Sequence, residues 1–197
     1  MSTQLRTRVA LVFAAFALAG CSGSGPSFKN TDVTGADYGR DFALTDHTGK
    51  ARTLADFRGK VVVMFFGYTR CPDVCPTTLA ELKAVKDQLG EDGKRLQVLF
   101  VTVDPERDTQ SLLANYVPAF DPSFLGLFGD SAATARVAKD FRVFYQKSPG
   151  KAPDGYTVDH TAGSYVFDPQ GRLRLFARHG NAANLAADVR ILLKASG

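Results

Sequence analysis

The sequence has 197 residues, 45% of them hydrophobic and 22% charged, enough for one well-packed core and short for two. Its formal net charge of +4 falls to +2 once the segment before Cys21 is set aside, because Arg6 and Arg8 are the only charged residues there. No basic run is interleaved with aromatics, so nucleic acid is not an expected partner, and no internal repeat is present.

The chain opens with a short basic stretch, Arg6 and Arg8, followed by "VALVFAAFALA", an apolar run too short to span a bilayer and of the length of a secretory signal. It ends in "LAGC", which resembles the bacterial lipobox. That pattern implies a signal peptide over residues 1–20, lipidation of Cys21 and attachment through several acyl chains, on the periplasmic side of a bacterial membrane. Residues 21–34, rich in Ser, Gly and Thr, read as a lipidated N-terminus and flexible tether, and residues 35–197 as the folded domain.

Within that domain, "DFALTDHTGKARTL" reads as a first hairpin. "VVVMFF" (Val61 to Phe66) and "LQVLFVTV" (Leu96 to Val103) are nearly continuous apolar runs, the pattern of strands covered on both faces. Between them Leu79, Leu82, Val85 and Leu89 recur at helical spacing, with Pro76 expected at the first helical position and Gly90 at the stop. The result is a βαβ unit. Leu112, Leu113, Tyr116 and Val117 predict a further helix, as do Ala135, Val137, Ala138 and Phe141. "SYVFDPQGRLRLFAR" reads as a second hairpin, and a helix from about Asn184 to Lys194 closes the chain. The fold class is α/β, a central mixed sheet with helices on both faces.

The cysteines stand out against this frame. The chain has three, and lipidation of Cys21 leaves Cys71 and Cys75 as each other's only intramolecular partner. They follow directly on "VVVMFF", at the carboxyl end of a strand where ligands of such sheets sit. The loop "RCPDVC" leads into a helix, whose positive end favours thiolate, the form that binds metal and attacks disulfides. A disulfide, a redox pair, a peroxidase nucleophile and part of a metal site all fit so far. Three residues separate the cysteines where thioredoxin-type redox motifs have two, and the chain has no tryptophan, so the generic redox reading weakens. "VCPTT" resembles the peroxiredoxin nucleophile region, but Pro72 and Tyr68 stand where those enzymes carry a threonine and a proline.

A metal reading needs a third ligand among three histidines. His47 in "DHTGK" and His179 in "ARHGN" are expected to be solvated turn residues. His160, in "YTVDHTAGSYVF", precedes a strand that would run beside the cysteine end of the sheet. Two thiolates and one imidazole form a soft, low-coordinate set suited to copper, whereas zinc would require a fourth ligand. Met64 lies within a buried strand and Met1 in the signal, so neither contributes.

Taken in order, "CPDVCP", "VTVDPERDT", "ANYV", "FRVFYQKS" and "YTVDHT" resemble the Sco (SenC) copper chaperones of cytochrome c oxidase assembly, from about Asp41 to the C-terminus. The resemblance implies a thioredoxin-like three-layer sandwich with an extra N-terminal hairpin. It implies copper, as Cu(I) and Cu(II), on Cys71, Cys75 and His160, and a supporting or partner-facing role for Asp159. The implied partners are the copper-bearing subunit of the oxidase and an upstream copper donor or thiol reductant. The same cysteines can close as a redox disulfide, so a thiol-disulfide reductase that keeps the oxidase cysteines reduced is the alternative. A turnover enzyme is not expected, and no catalytic residue is assigned.

"DPERDT" has two readings. Pro105 ends a strand while Asp108 or Thr109 caps the next helix, or this acidic loop at the sheet's carboxyl edge holds the metal loop. It lacks the glycine that a calcium loop requires.

Overall fold

In the computed structural model, which describes residues 26–149 and 155–195, the elements in chain order are β1 (Thr31–Asp32), β2 (Leu44–Asp46), β3 (Ala51–Arg52), β4 (Val61–Gly67), α1 (Val74–Leu89), β5 (Leu96–Thr102), α2 (Gln110–Tyr116), β6 (Leu125–Phe128), α3 (Ser131–Asp140), β7 (Tyr145–Pro149), β8 (Tyr156–His160), β9 (Ser164–Phe167), β10 (Leu173–Ala177) and α4 (Ala182–Lys194). Among the described residues ten strands make two sheets. Eight lie in the order β1-β10-β9-β4-β5-β6-β2-β3, and β7 and β8 form a separate ribbon.

Every residue of β4 and β5 is buried, as expected of strands without a polar face. They run parallel, Val61 beside Leu96 through Gly67 beside Thr102, and α1 makes the crossover. β9 joins the other side of β4 antiparallel, so the sheet is mixed. Side chains of β4 alternate between faces. Phe65 meets Phe100 and His179 on the side where α1 and α4 pack together. Phe66 meets Phe141 and Tyr165, beneath the end of α3. The architecture is thioredoxin-like, with helices on both faces and the β2–β3 hairpin added at one edge.

Three expectations shift. The helix α1 begins at Val74, with Asp73 preceding it, two residues before Pro76. Proline is tolerated there because its missing N–H is one of the first-turn donors without an intrahelical partner. The chain also joins the fold before residue 35. Thr31 and Asp32 pair with Phe176 and Leu175 of β10, and the buried carboxylate of Asp188 accepts the backbone N–H groups of Lys29 and Asn30 and the Asn30 side-chain amide, each at 2.8 Å. Finally, β6 and the β7–β8 ribbon form where no strand was expected. The signal segment and Cys21 lie outside the described residues. Among the described residues no helix is long and apolar enough to cross a membrane.

Candidate metal centre

The carboxyl end of β4 delivers the chain into the cysteine loop, and a side chain at Gly67, the last strand residue, would crowd its neighbours. A Cβ there would lie 2.9 Å from Cys75 Sγ, 2.9 Å from Phe100 Cε2 and 3.0 Å from Phe65 Cζ. Cys71 follows in a turn closed by its N–H on the Tyr68 carbonyl at 3.2 Å. Cys75 lies in the first turn of α1 and is fully buried, while Cys71 is half-buried.

The two sulfurs are unbridged and differ in protonation. The Cys75 N–H, one of the helix's unpaired first-turn donors, points at Cys71 Sγ over 3.4 Å. Above all, the Cys75 thiol donates to Cys71. The Asp73 and Cys75 backbone N–H groups add to this, and the Cys71 pKa drops from 9.0 to about 4. Cys75 moves the opposite way, because its proton is held between the sulfurs and because it is buried. The pair is a thiolate and a thiol.

His160 is the last residue of β8. Its Nδ1 lies 3.1 Å from the Thr161 carbonyl. A carbonyl only accepts, so Nδ1 carries the proton and Nε2 keeps its lone pair. That Nε2 lies 3.7 Å from Cys75 Sγ. Ligand atoms of Cys71, Cys75 and His160 all fall within 4.8 Å of one another, with the ring of Tyr68 edge-on to the imidazole. This is a three-coordinate donor set in which one thiolate is already formed. The second thiol must release its proton when a metal binds.

Each reading of "DPERDT" holds in part, although β5 already ends at Thr102, before Pro105. Thr109 caps α2, accepting the Leu112 N–H at 3.2 Å, and Asp108, only 1% exposed, holds the cysteine loop. The Asp108 carboxylate accepts the Thr69 N–H at 3.0 Å, the Thr69 hydroxyl at 2.6 Å and the Thr102 hydroxyl at 2.6 Å. Burial raises its pKa against these bonds. Asp159 is exposed, and its carboxylate accepts the Ser148 hydroxyl at 2.6 Å. Neighbouring residues of a strand point to opposite faces, so Asp159 faces away from the sulfurs.

The other histidines are not the solvated turn residues expected. His179 bridges the Thr78 hydroxyl of α1, 3.0 Å from Nδ1, and the Ser164 hydroxyl of β9, 3.1 Å from Nε2. Burial lowers its pKa. His47 accepts the Gly126 N–H at 3.0 Å, which ties the first hairpin to β6. In both cases a polar partner distant in sequence captures the ring. Sequence reading also missed Gly67, Thr69, Thr102 and Tyr68. The position of Gly67, at the end of an apolar run and just before two cysteines, was the one available signal.

The SCO1/SenC family model matches residues 30–194. The mitochondrial SCO2 homolog of Bos taurus is 42% identical over 153 residues, which are 76% of this chain and 58% of that protein. The chain therefore spans little more than half of that relative's length. The structure of Bradyrhizobium japonicum ScoI with copper bound is 44% identical, covers 79% of this chain and 98% of its own, and superposes with a TM-score of 0.71. Apo Sco1 from Thermus thermophilus is 42% identical, covering 89% of this chain and 100% of its own, with a TM-score of 0.72.

Proposed function

Because the chain belongs to the SCO1/SenC family, we propose that it binds copper on Cys71, Cys75 and His160 and delivers it to the dinuclear copper centre of cytochrome c oxidase during assembly. The observation that carries this reading is the convergence of two sulfurs and an imidazole nitrogen within 4.8 Å, a soft donor set that fits copper.

Copper is the cargo. Cys71 supplies a formed thiolate. Cys75 exchanges its proton for the metal, and the Thr161 carbonyl keeps His160 Nε2 available. Two thiolates suffice for copper(I), whereas copper(II) draws on the imidazole as well. Release then proceeds by ligand exchange, as a partner's thiolates replace these one at a time. The exposure of Asp159 supports a role facing such a partner. Oxidation of the metal-free pair to a disulfide would remove both sulfur ligands, releasing two electrons and the single proton of Cys75. A thiol reductant must therefore keep the carrier active. The "LAGC" sequence supports lipid attachment at Cys21 after signal cleavage, on the periplasmic side of the membrane.

The low pKa of Cys71, about 4, favours a second reading, a thiol reductase that keeps the oxidase's copper-binding cysteines reduced. Two measurements decide. His160→Ala should abolish or strongly alter the thiolate-to-copper(II) absorption of the reduced domain while copper(I) survives on the sulfurs, and an unchanged spectrum would sink the three-ligand site. A deletion strain should lose oxidase activity and regain it with added copper. Rescue by a reductant instead of copper would establish the reductase reading in its place.

A further inference from the structure

The ribbon that carries His160 does not belong to the main sheet. Among the described residues β7 and β8 pair only with each other, Tyr145 beside His160 through Pro149 beside Tyr156, so no strand ladder fixes their position relative to the cysteines, and the Val158 backbone contact on the Tyr68 hydroxyl is a single tie across. Something else must set the distance from His160 to the sulfurs.

The turn after β5 reaches the base of β8 through Arg107 and Asp104. The Asp104 side chain is fully buried and that of Arg107 is 10% exposed. Arg107 Nε donates to Asp104 Oδ2 at 2.5 Å, and Nη1 donates to the Tyr156 carbonyl at 3.0 Å. The guanidinium lies 3.6 Å from the centroid of the Tyr156 ring, a cation–π contact at stacking distance. The Tyr156 hydroxyl donates to the second Asp104 oxygen at 2.9 Å. Arg107, Asp104 and Tyr156 thus close a ring of contacts at the base of β8, the strand that ends at His160. From the same turn Asp108 grips Thr69, two residues before Cys71. A single turn therefore holds both the thiolate loop and the imidazole ribbon.

A buried ion pair adds little net stability over an apolar pair of the same volume, so packing alone does not account for it. Its value is geometric, since the planar fork reaches a carboxylate and a carbonyl at once. We infer that Arg107, with Asp104 and Tyr156, is a positioning brace for His160, which makes copper(II) binding depend on Arg107 while copper(I) binding by the two sulfurs does not. The inference rests on the copper site proposed above.

The test compares wild type, Arg107→Gln, Arg107→Lys and Tyr156→Phe as reduced protein. In the metal-free state, hydrogen–deuterium exchange at the β8 amides should accelerate in Arg107→Gln while β4 and β5 stay protected. Copper(II) affinity should fall about 10–100-fold, the usual effect of losing a group that orients a ligand, with copper(I) affinity unchanged. Arg107→Lys should not restore it, because an ammonium lacks the fork. Tyr156→Phe keeps the ring and loses one hydrogen bond, so it should shift in the same direction by less, and it carries the test if Arg107→Gln does not fold. The inference is overturned if β8 exchange is unchanged, or if both copper states weaken equally with exchange raised throughout the sheet. It is also overturned if β8 loosens without a selective loss of copper(II). Failure of the copper site itself is read separately, as unaltered copper(II) binding in His160→Ala.

Discussion

Replacing Gly67 by alanine tests how tightly the end of β4 is built around the sulfur of Cys75. The added methyl group would lie 2.9 Å from Cys75 Sγ, 2.9 Å from the Phe100 ring and 3.0 Å from the Phe65 ring. All three neighbours are fully buried, so none can swing into solvent. Comfortable contact begins near about 3.5 Å, so the sulfur, the rings or the strand must give way by roughly 0.6 Å. Overpacking of this kind costs about 1–3 kcal/mol. For a domain of this size that is a fall in Tm of about 2–12 °C, at roughly 2–4 °C per kcal/mol. The same displacement exceeds the ±0.2 Å or so that a metal–ligand bond tolerates. Copper(I) affinity should therefore fall together with stability. Urea unfolding of the reduced apo protein and copper(I) competition against a chelator measure the two effects. If stability stays within about 0.5 kcal/mol, the range of a neutral surface change, and copper(I) affinity is unaltered, the crowding argument is refuted.

In the reduced apo protein, iodoacetamide should modify Cys71 and spare Cys75. The Cys71 rate should stay nearly flat from pH 8 to 5, because its pKa of about 4 keeps it a thiolate throughout; a rate falling tenfold per pH unit over that range would refute the assignment. Burial lowers the pKa of His179 below 6.5, so as pH falls the unfolded chain takes up the proton first. Its contribution to stability is thus lost as pH drops through 6.5. His179→Gln should flatten the decline in stability between pH 7 and 5, as followed by denaturant titration, while copper binding is retained. Asp188→Ala removes three acceptor contacts to Lys29 and Asn30. It should speed hydrogen exchange at those two amides and leave the metal centre unperturbed, and exchange equal to wild type would show that β1 alone secures this segment.

Elements with a strong period are written locally. The covered strands β4 and β5 were legible because both faces are apolar, and α1 because its apolar residues recur at helical spacing up to Gly90. The ribbon was not. Its β7 is "YQKSP", with no buried residue, so the period that betrays a strand is missing when pairing with a single neighbour is all that makes it one. The candidate ligands were legible as chemistry, since cysteines at the carboxyl end of a strand and a histidine before another narrow the choice of soft donors. His179 was misread because its partners Thr78 and Ser164 are 101 and 15 residues away, and the burial of a ring depends on what surrounds it. Residue type and spacing, which are local, determined which atoms could bind a metal and where the main strands and helices run. Only the tertiary structure decided that Cys75 and His160, 85 residues apart, stand 3.7 Å from each other, that one sulfur is a thiolate and the other a thiol, and that the turn from Asp104 to Asp108 holds both sides. Those are properties of distance through the folded chain, and distance is set by how the sheet, the ribbon and the turn pack together.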